Sequence, residues 1–215
     1  MFRAVILDFD WTFNTSRMYY TRFDEVSFEV LAERFGCSAA EAERKMQEVK
    51  EKTLSLTSAM RYIGMDSDEF YDEVASRMDI RSLLTEDTRL KEVVLAIRGM
   101  SLKVAMLTNS GRSLLKRALD ALGCPFEHFD FVVTSSEVEP KPSLEPFRHT
   151  AELLRCNPEE VLYVGDRISS ELKPAKQVGM KTVLIGRDSH NEESRWIDWA
   201  LPDIYQLPDL VRSLQ

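Results

Sequence analysis

An α/β fold carrying a small all-helical insertion is predicted for this 215-residue chain by three observations. Short, almost wholly apolar runs recur along it, as strands covered on both faces require. Between most of those runs the apolar residues follow helical spacing, and alternation of strands with helices implies a parallel sheet with helices on both faces. One long stretch, residues 15–83, breaks the alternation and shows helix signals without a convincing strand.

The predicted strands are Arg3 to Leu7, Leu102–Leu107, Phe131–Val133, Val161–Val164 and Thr182–Ile185. Leu90, Val93, Val94 and Ile97 fall at i, i+3, i+4 and i+7, with Gly99 placed to end that helix. Leu115, Ala118, Leu119 and Leu122 repeat the pattern before Gly123. Ile168, Leu172, Ala175 and Val178 form a further stripe closed by Gly179. In the insertion, Ser38 with Glu41 reads as a capping box, and Asp66 with Glu69 is a similar start signal. Leu56, Ala59, Met60 and Ile63 make one apolar face, stopped by Gly64; Phe70, Val74 and Met78 make another. A connection this long exceeds plain loops of about 12–15 residues and must be structured in its own right. The expected division is therefore a catalytic core of residues 1–14 and 84–215 with a helical unit at 15–83.

Composition narrows the function. A hydrophobic share of 44% is enough for a packed core, and the formal net charge of −8 repels nucleic-acid backbones and anionic membranes. No Lys/Arg cluster offsets that charge, and no apolar run reaches the roughly 18 residues of a transmembrane helix. The opening MFRAVILDFD has a short apolar stretch that ends in two acids, unlike a signal peptide. Cys37, Cys124 and Cys156 have neither metal-ligand spacing nor an even count, so buried thiols in a reducing cytoplasm are expected. His128, His149 and His190 are scattered away from strand ends. No nucleic acid, membrane or obligate protein partner is expected.

In open α/β sheets, ligands bind beyond the carboxyl ends of the strands. Asp8-Phe9-Asp10-Trp11-Thr12 follows the first strand, Thr108-Asn109-Ser110 the second and Gly165-Asp166-Arg167 the fourth; Lys141 follows the third at some distance. Each group alone has a plainer role: Asp8 or Asp10 as a turn former, Thr108 as a strand-end hydroxyl, Lys141 as a surface lysine, Asp166 as a helix cap. The conjunction of four segments, in order, at one edge of a sheet points to chemistry. One carboxylate can attack phosphorus and form an aspartyl phosphate, and a second can protonate the leaving alkoxide and later deprotonate water. Crowded carboxylates call for a hard cation, and magnesium prefers oxygen ligands. It would be held by Asp8, Asp166 and the backbone carbonyl of Asp10, with Thr108 and the backbone around Asn109 on phosphoryl oxygens and Lys141 neutralising charge.

These segments resemble the haloacid dehalogenase superfamily over residues 1–14 and about 84–215. Asp8-Phe9-Asp10-Trp11-Thr12 is similar to its first motif, Thr108 to its second, Lys141-Pro142 to its third, and Gly165-Asp166 with Glu171 to its fourth. The resemblance implies a Rossmann-like core with strand order 5-4-1-2-3 and a helical cap inserted after the first motif. It implies a magnesium-dependent phosphatase acting on a small phosphorylated metabolite; a phosphomutase on a phosphosugar and a non-catalytic phosphate-binding protein are the alternatives. The second aspartate, Asp10, favours phosphoryl chemistry over carbon–halogen cleavage. Trp11 stands where glycine is usual, and Glu171 where aspartate is usual. Glu171 is expected to hold a metal-bound water, or else to be an exposed helix glutamate. Trp11 is expected at the seam between cap and core, and Arg17, Tyr19, Tyr20, Arg22, Arg61 and Tyr62 are candidate cap contacts.

Overall fold

A computed structural model describes residues 1–186 and 192–215, so His190 lies outside the described residues. Strand β1 (Ala4–Leu7) is followed by helices α1 (Arg17–Phe35), α2 (Ala39–Thr53), α3 (Leu56–Tyr62), α4 (Ser67–Arg77) and α5 (Ile80–Leu83). Then come α6 (Thr88–Gly99), β2 (Lys103–Leu107), α7 (Arg112–Ala121), β3 (Phe131–Val133), α8 (Glu145–Leu154), β4 (Val161–Gly165), α9 (Lys173–Val178), β5 (Lys181–Ile185), β6 (Trp199–Leu201) and α10 (Leu207–Ser213).

The sheet has six strands in the order β3-β2-β1-β4-β5-β6, and every neighbouring pair is parallel. Read from the β6 edge, this is the expected 5-4-1-2-3 with one further strand outside β5. Strand β6 is absent from the sequence prediction: it spans three residues of mixed exposure, too short for a periodic signal. The other strand limits shift by one residue at most.

Alternation along the central strand builds three layers. Val5 and Leu7 enter an apolar cluster with α6, α7 and α10, while Ala4 and Ile6 enter a second cluster with α8 and α9. All four are fully buried, each of the larger ones contributing about 1.5–3 kcal/mol by leaving water. Both faces are covered, which is why β1 reads as a continuous apolar run. Register then aligns the strand ends: Leu7 pairs with Met106 of β2 and with Val164 of β4. The residues that follow these strands share one edge.

Four of the five helices between β1 and α6, α1 to α4, start at capping side chains. Ser16 accepts from Tyr19 N, Ser38 from Glu41 N, Ser55 from Ser58 N, and Asp66 from Asp68 N and Glu69 N. Their apolar faces join the cluster on one side of the sheet: Val26, Val30, Met60, Phe70 and Val74 are all fully buried. Helix α4 lies close against the loop leading into α7. A Cβ on Gly111 would stand 2.4 Å from Tyr71 Cβ, so only glycine permits that approach. The stripe read as one helix from Ile168 to Val178 is divided: Ile168–Leu172 forms a π-helical turn and α9 follows, closed by Gly179 at φ 109°. No helix among the described residues is long and apolar enough to cross a membrane.

Candidate active site

Asp8 directly follows β1, and its backbone N–H donates to Val164 O of β4, at 2.9 Å. The residue is 1% exposed. Lys141 reaches it from the loop after β3 and is equally buried. Its ammonium donates to Asp8 Oδ1 (2.5 Å), Glu171 Oε1 (2.9 Å), Tyr163 Oη (3.0 Å) and Leu107 O (3.2 Å). Asn109 fixes the lysine's backbone from both sides, accepting from Lys141 N at 2.7 Å and donating to Lys141 O at 2.8 Å. Burial by itself would lower the Lys141 pKa, but Asp8 and Glu171 hold it well above the ordinary lysine value. Asp8 is also pushed well above the usual carboxylate range, by burial and by the charge of Glu171, against the opposing pull of Lys141. One ammonium does not balance this many buried acids.

Glu171 is 5% exposed, so an exposed helix glutamate is overturned. The π-helical turn points it back under β4, where its second oxygen accepts from Arg167 N at 3.3 Å. Gly165 makes room: a Cβ there would stand 2.4 Å from Glu171 Oε2. Asp166, 6% exposed, lies beside Asp8 and Glu171. One oxygen from each of these three carboxylates lies within 4.8 Å of the others, a donor set that could hold a metal ion. Asp8 Oδ2 is buried without a hydrogen-bond partner among the described residues. A buried anionic oxygen with no donor, beside two further carboxylates, fits a hard divalent cation. The Asp10 carboxylate does not join this set.

Asp10 instead accepts from Ser110 Oγ at 2.9 Å and Thr108 Oγ1 at 3.4 Å. Burial raises its pKa, and the Ser110 hydrogen bond works the other way. Thr108 is therefore turned to Asp10, and the cavity is lined by Asn109 and Ser110 rather than by Thr108. The loop carrying Asp10 closes on itself, with Phe13 N and Asn14 N both donating to Phe9 O and Trp11 N to Asn14 O. Trp11 sits in the left-handed region at φ 61°, which explains why glycine suits that position. Its ring stacks on Tyr20 of α1 with centroids 4.3 Å apart. Tyr20 Oη accepts from Trp11 N at 3.1 Å and donates to Asn14 O at 2.9 Å. A helix of the insertion thus clamps the loop that bears Asp10.

A cavity of about 220 Å³ opens above these groups, with Asp8, Asp10, Lys141 and Glu171 in its lining. Residues of α1, α2 and α4 complete the walls, among them Tyr19, Tyr20, Asp24, Lys50 and Tyr71. Of the candidate cap contacts, Tyr19 and Tyr20 line it; Arg17, Arg22, Arg61 and Tyr62 do not. Arg61 donates to the carbonyls of Ser135 and Val138 instead. His128 and His149 are outside the lining, and the three cysteines are free, with only Cys124 buried. Ser110, Tyr163, Asp24, Lys50 and Arg167 were not singled out from sequence. Ser110 and Arg167 lie one or two residues from predicted site residues, a signal that could have found them; Asp24 and Lys50 carried none.

Comparison with known proteins bears on the family and the fold. The family model for haloacid dehalogenase-like hydrolase matches residues 5–185. A glyceraldehyde 3-phosphate phosphatase of Methanocaldococcus jannaschii is 34% identical over 128 residues, 58% of this chain and 55% of that protein. The N-acylneuraminate-9-phosphatase of Mus musculus is 27% identical over 143 residues, 61% of this chain and 57% of that one. The chain thus spans little more than half the length of these curated relatives. Among solved structures, a HAD phosphatase from Thermococcus onnurineus superposes with a TM-score of 0.71 at 24% identity, covering 97% of both chains, a likeness of fold.

Proposed function

The chain belongs to the haloacid dehalogenase-like hydrolase family, and on that premise we propose that it hydrolyses a small phosphate monoester with Asp8 as nucleophile. The carrying observation is that two carboxylates with different partners line one cavity. Asp8 is ion-paired to a buried ammonium at 2.5 Å, while Asp10 is held by the hydroxyls of Ser110 and Thr108; burial raises both, and Lys141 pulls against it at Asp8. An oxygen of Asp8 attacks phosphorus as the ester P–O bond breaks, and Asp10 gives its proton to the departing alkoxide. The resulting aspartyl phosphate is opened by water attacking phosphorus, with Asp10 now taking the proton, and Asp8 is regenerated as inorganic phosphate leaves. Lys141 holds Asp8 in place and offsets negative charge throughout. A magnesium ion bound by Asp8 and Asp166, with Glu171 directly or through its water, would supply further neutralisation of phosphoryl charge. The helices α1–α5 act as the cap that walls the reaction off from water, and the Tyr20 clamp fixes Asp10 over it.

Turnover of an aryl phosphate with and without magnesium tests the reading. Release that depends on the metal supports it. Absence of release under every condition, with a panel of phosphorylated metabolites equally inert, would leave a phosphate-binding protein on this fold.

A further inference from the structure

Helix α3 of the insertion meets the sheet edge through main-chain carbonyls. Thr57 Oγ1 donates to Asn109 O at 2.8 Å, and Ser58 and Arg61 reach Lys141 O and the carbonyls of Ser135 and Val138. Asn109 O accepts a second bond from Ser135 Oγ, also at 2.8 Å. The Asn109 side chain grips the Lys141 main chain on both sides, and the Lys141 ammonium lies 2.5 Å from Asp8. A continuous line of hydrogen-bonded residues therefore runs from Thr57 through Asn109 and Lys141 to Asp8. Its protons have one arrangement. A carbonyl can only accept, so the single Thr57 proton goes to Asn109 O. The 2.7 Å contact between Thr57 Oγ1 and Tyr71 Oη of α4 must then carry the tyrosine's proton. Burial raises the Tyr71 pKa, so the phenol keeps that proton.

We propose that Thr57 is a positioning residue for phosphoryl transfer: it fixes the Asn109 peptide group and, through the Asn109 side chain, keeps Lys141 in register with Asp8, a role that rests on the cavity being a phosphoryl-transfer site. Thr57 and Tyr71 are 1% and 3% exposed, and both line the cavity beside Asn109. Tyr71 is itself seated against the bare Cα of Gly111, in the loop that Asn109 opens. A buried hydroxyl whose donor and acceptor are both fixed holds its partner in one orientation. The partner here is the peptide group between Asn109 and Ser110, so a side chain of the insertion sets the path of a loop of the core. Charge neutralisation by Lys141 counts most as the phosphoryl group is transferred, so the loss of its positioning falls on kcat more than on KM. A hydroxyl that only sealed the seam between α3 and the core would affect stability and leave kcat alone.

Thr57→Val exchanges the hydroxyl for a methyl of similar size, and Thr57→Ser keeps the hydroxyl. With an aryl phosphate and magnesium, Thr57→Val should lower kcat about tenfold and change KM by less than about twofold. Thr57→Ser should recover most of the rate. Orthovanadate adopts the five-coordinate shape of a phosphoryl group in transfer, and calorimetry with it on the full chain reads the same geometry without turnover. Thr57→Val should bind it about tenfold more weakly, and Thr57→Ser should restore the binding. Wild-type kcat and vanadate affinity in Thr57→Val, or a loss that Thr57→Ser does not repair, would overturn the proposal whatever happens to the melting temperature. If Thr57→Val does not fold, Tyr71→Phe decides. It keeps the ring against Gly111 and removes the proton that orients the Thr57 hydroxyl, so kcat should fall about threefold with KM held; an unchanged kcat would overturn the proposal. The two readings fail separately. A wild type that turns over aryl phosphate beside an equally active Thr57→Val loses only the role of Thr57. A wild type that releases no phosphate yet binds vanadate through Thr57 loses only the phosphatase activity, and one that does neither loses both.

Discussion

Two trios in this protein are assembled from the same parts, one cation between two carboxylates. At the base of the cavity Lys141 stands 2.5 Å from Asp8 and 2.9 Å from Glu171, with side-chain exposures of 3%, 2% and 7%. On the helical insertion Arg77 stands 2.6 Å from Glu33 of α1 and 2.5 Å from Glu73 of α4, with exposures of 31%, 62% and 32%. By distance alone they are equals. Desolvation separates them: water screens the second trio and competes for each of its bonds, whereas the first has surrendered its hydration and depends on its own charges. The buried trio is therefore where a single substitution should be felt in both chemistry and stability, and the exposed one where it should hardly be felt at all.

The largest effect is expected at Asp8. Asp8→Asn keeps the shape but supplies a far poorer nucleophile and metal ligand, so turnover should vanish almost entirely while the melting transition remains. Retention of more than a small residue of the wild-type rate by the purified variant would remove Asp8 from the nucleophile's role. Lys141→Met comes next. It leaves Asp8 and Glu171 facing each other in a dry site, and breaking a buried pair in this way costs about 3–5 kcal/mol. Chemical denaturation measures that loss, and the double variant Lys141→Met, Glu171→Gln should recover part of it by removing one of the stranded charges. A Lys141→Met protein as stable as wild type would erase the distinction between the trios.

Asp10 sharpens the contrast within the site. Burial raises its pKa, so its proton is present below that value and lost as pH rises through it. With a poor leaving group the rate should therefore fall on the alkaline side, and Asp10→Asn should abolish that limb along with most of the rate. With an activated aryl ester the first half needs no acid, so phosphoenzyme should accumulate in this variant. Intact mass showing no added phosphoryl group, despite leaving-group release, would count against an acid–base role for Asp10.

Glu171→Gln removes charge beside the predicted metal ligands, a change that typically costs about 10–100-fold in metal affinity or activity. Raising magnesium should recover part of the rate. Magnesium titrations of wild type and variant that superimpose would confine Glu171 to holding Lys141.

How far the sequence reveals these parts follows from where each sits along the chain. Asp8, Asp10, Thr108 and Asp166 are legible because each follows an apolar strand within a few residues, and parallel register carries strand ends to one edge. Lys141 lies eight residues past β3 and is legible only through its resemblance to a family motif. Glu171 is half legible: the sequence shows an acid five residues after Asp166, but its burial depends on the π-helical turn and on the bare Cα of Gly165, neither of which has a periodic signature. Lys50 and Asp24 were invisible because they ride on helices whose placement over the sheet is a matter of tertiary packing. A charged residue on a helix reads the same whether it faces solvent or a cavity. Strand β6 was missed for want of length, since three residues cannot display a period of two convincingly.

The smallest effect is expected at Arg77. Glu33 is held below the ordinary carboxylate range by hydrogen bonds from Arg77, and Glu73 by those from Arg34 and then Arg77. A carboxyl whose folded pKa is depressed stabilises the fold above its unfolded value near 4.3, and that contribution is lost as pH falls through the folded value. Any advantage of wild type over Arg77→Met should thus be full above about pH 4.3, fade as the pH falls through the folded carboxyl values, and shrink in about 1 M salt, where the Debye length is about 3 Å. Denaturation of the two proteins at pH 7 and at pH 3, each at low and high salt, reads this directly. The curves should differ slightly at neutral pH and low salt and converge in the other three conditions. If Arg77→Met at pH 7 and high salt were as damaging as Lys141→Met, then geometry rather than desolvation would govern the two trios, because composition and distances are what they share while burial is what separates them.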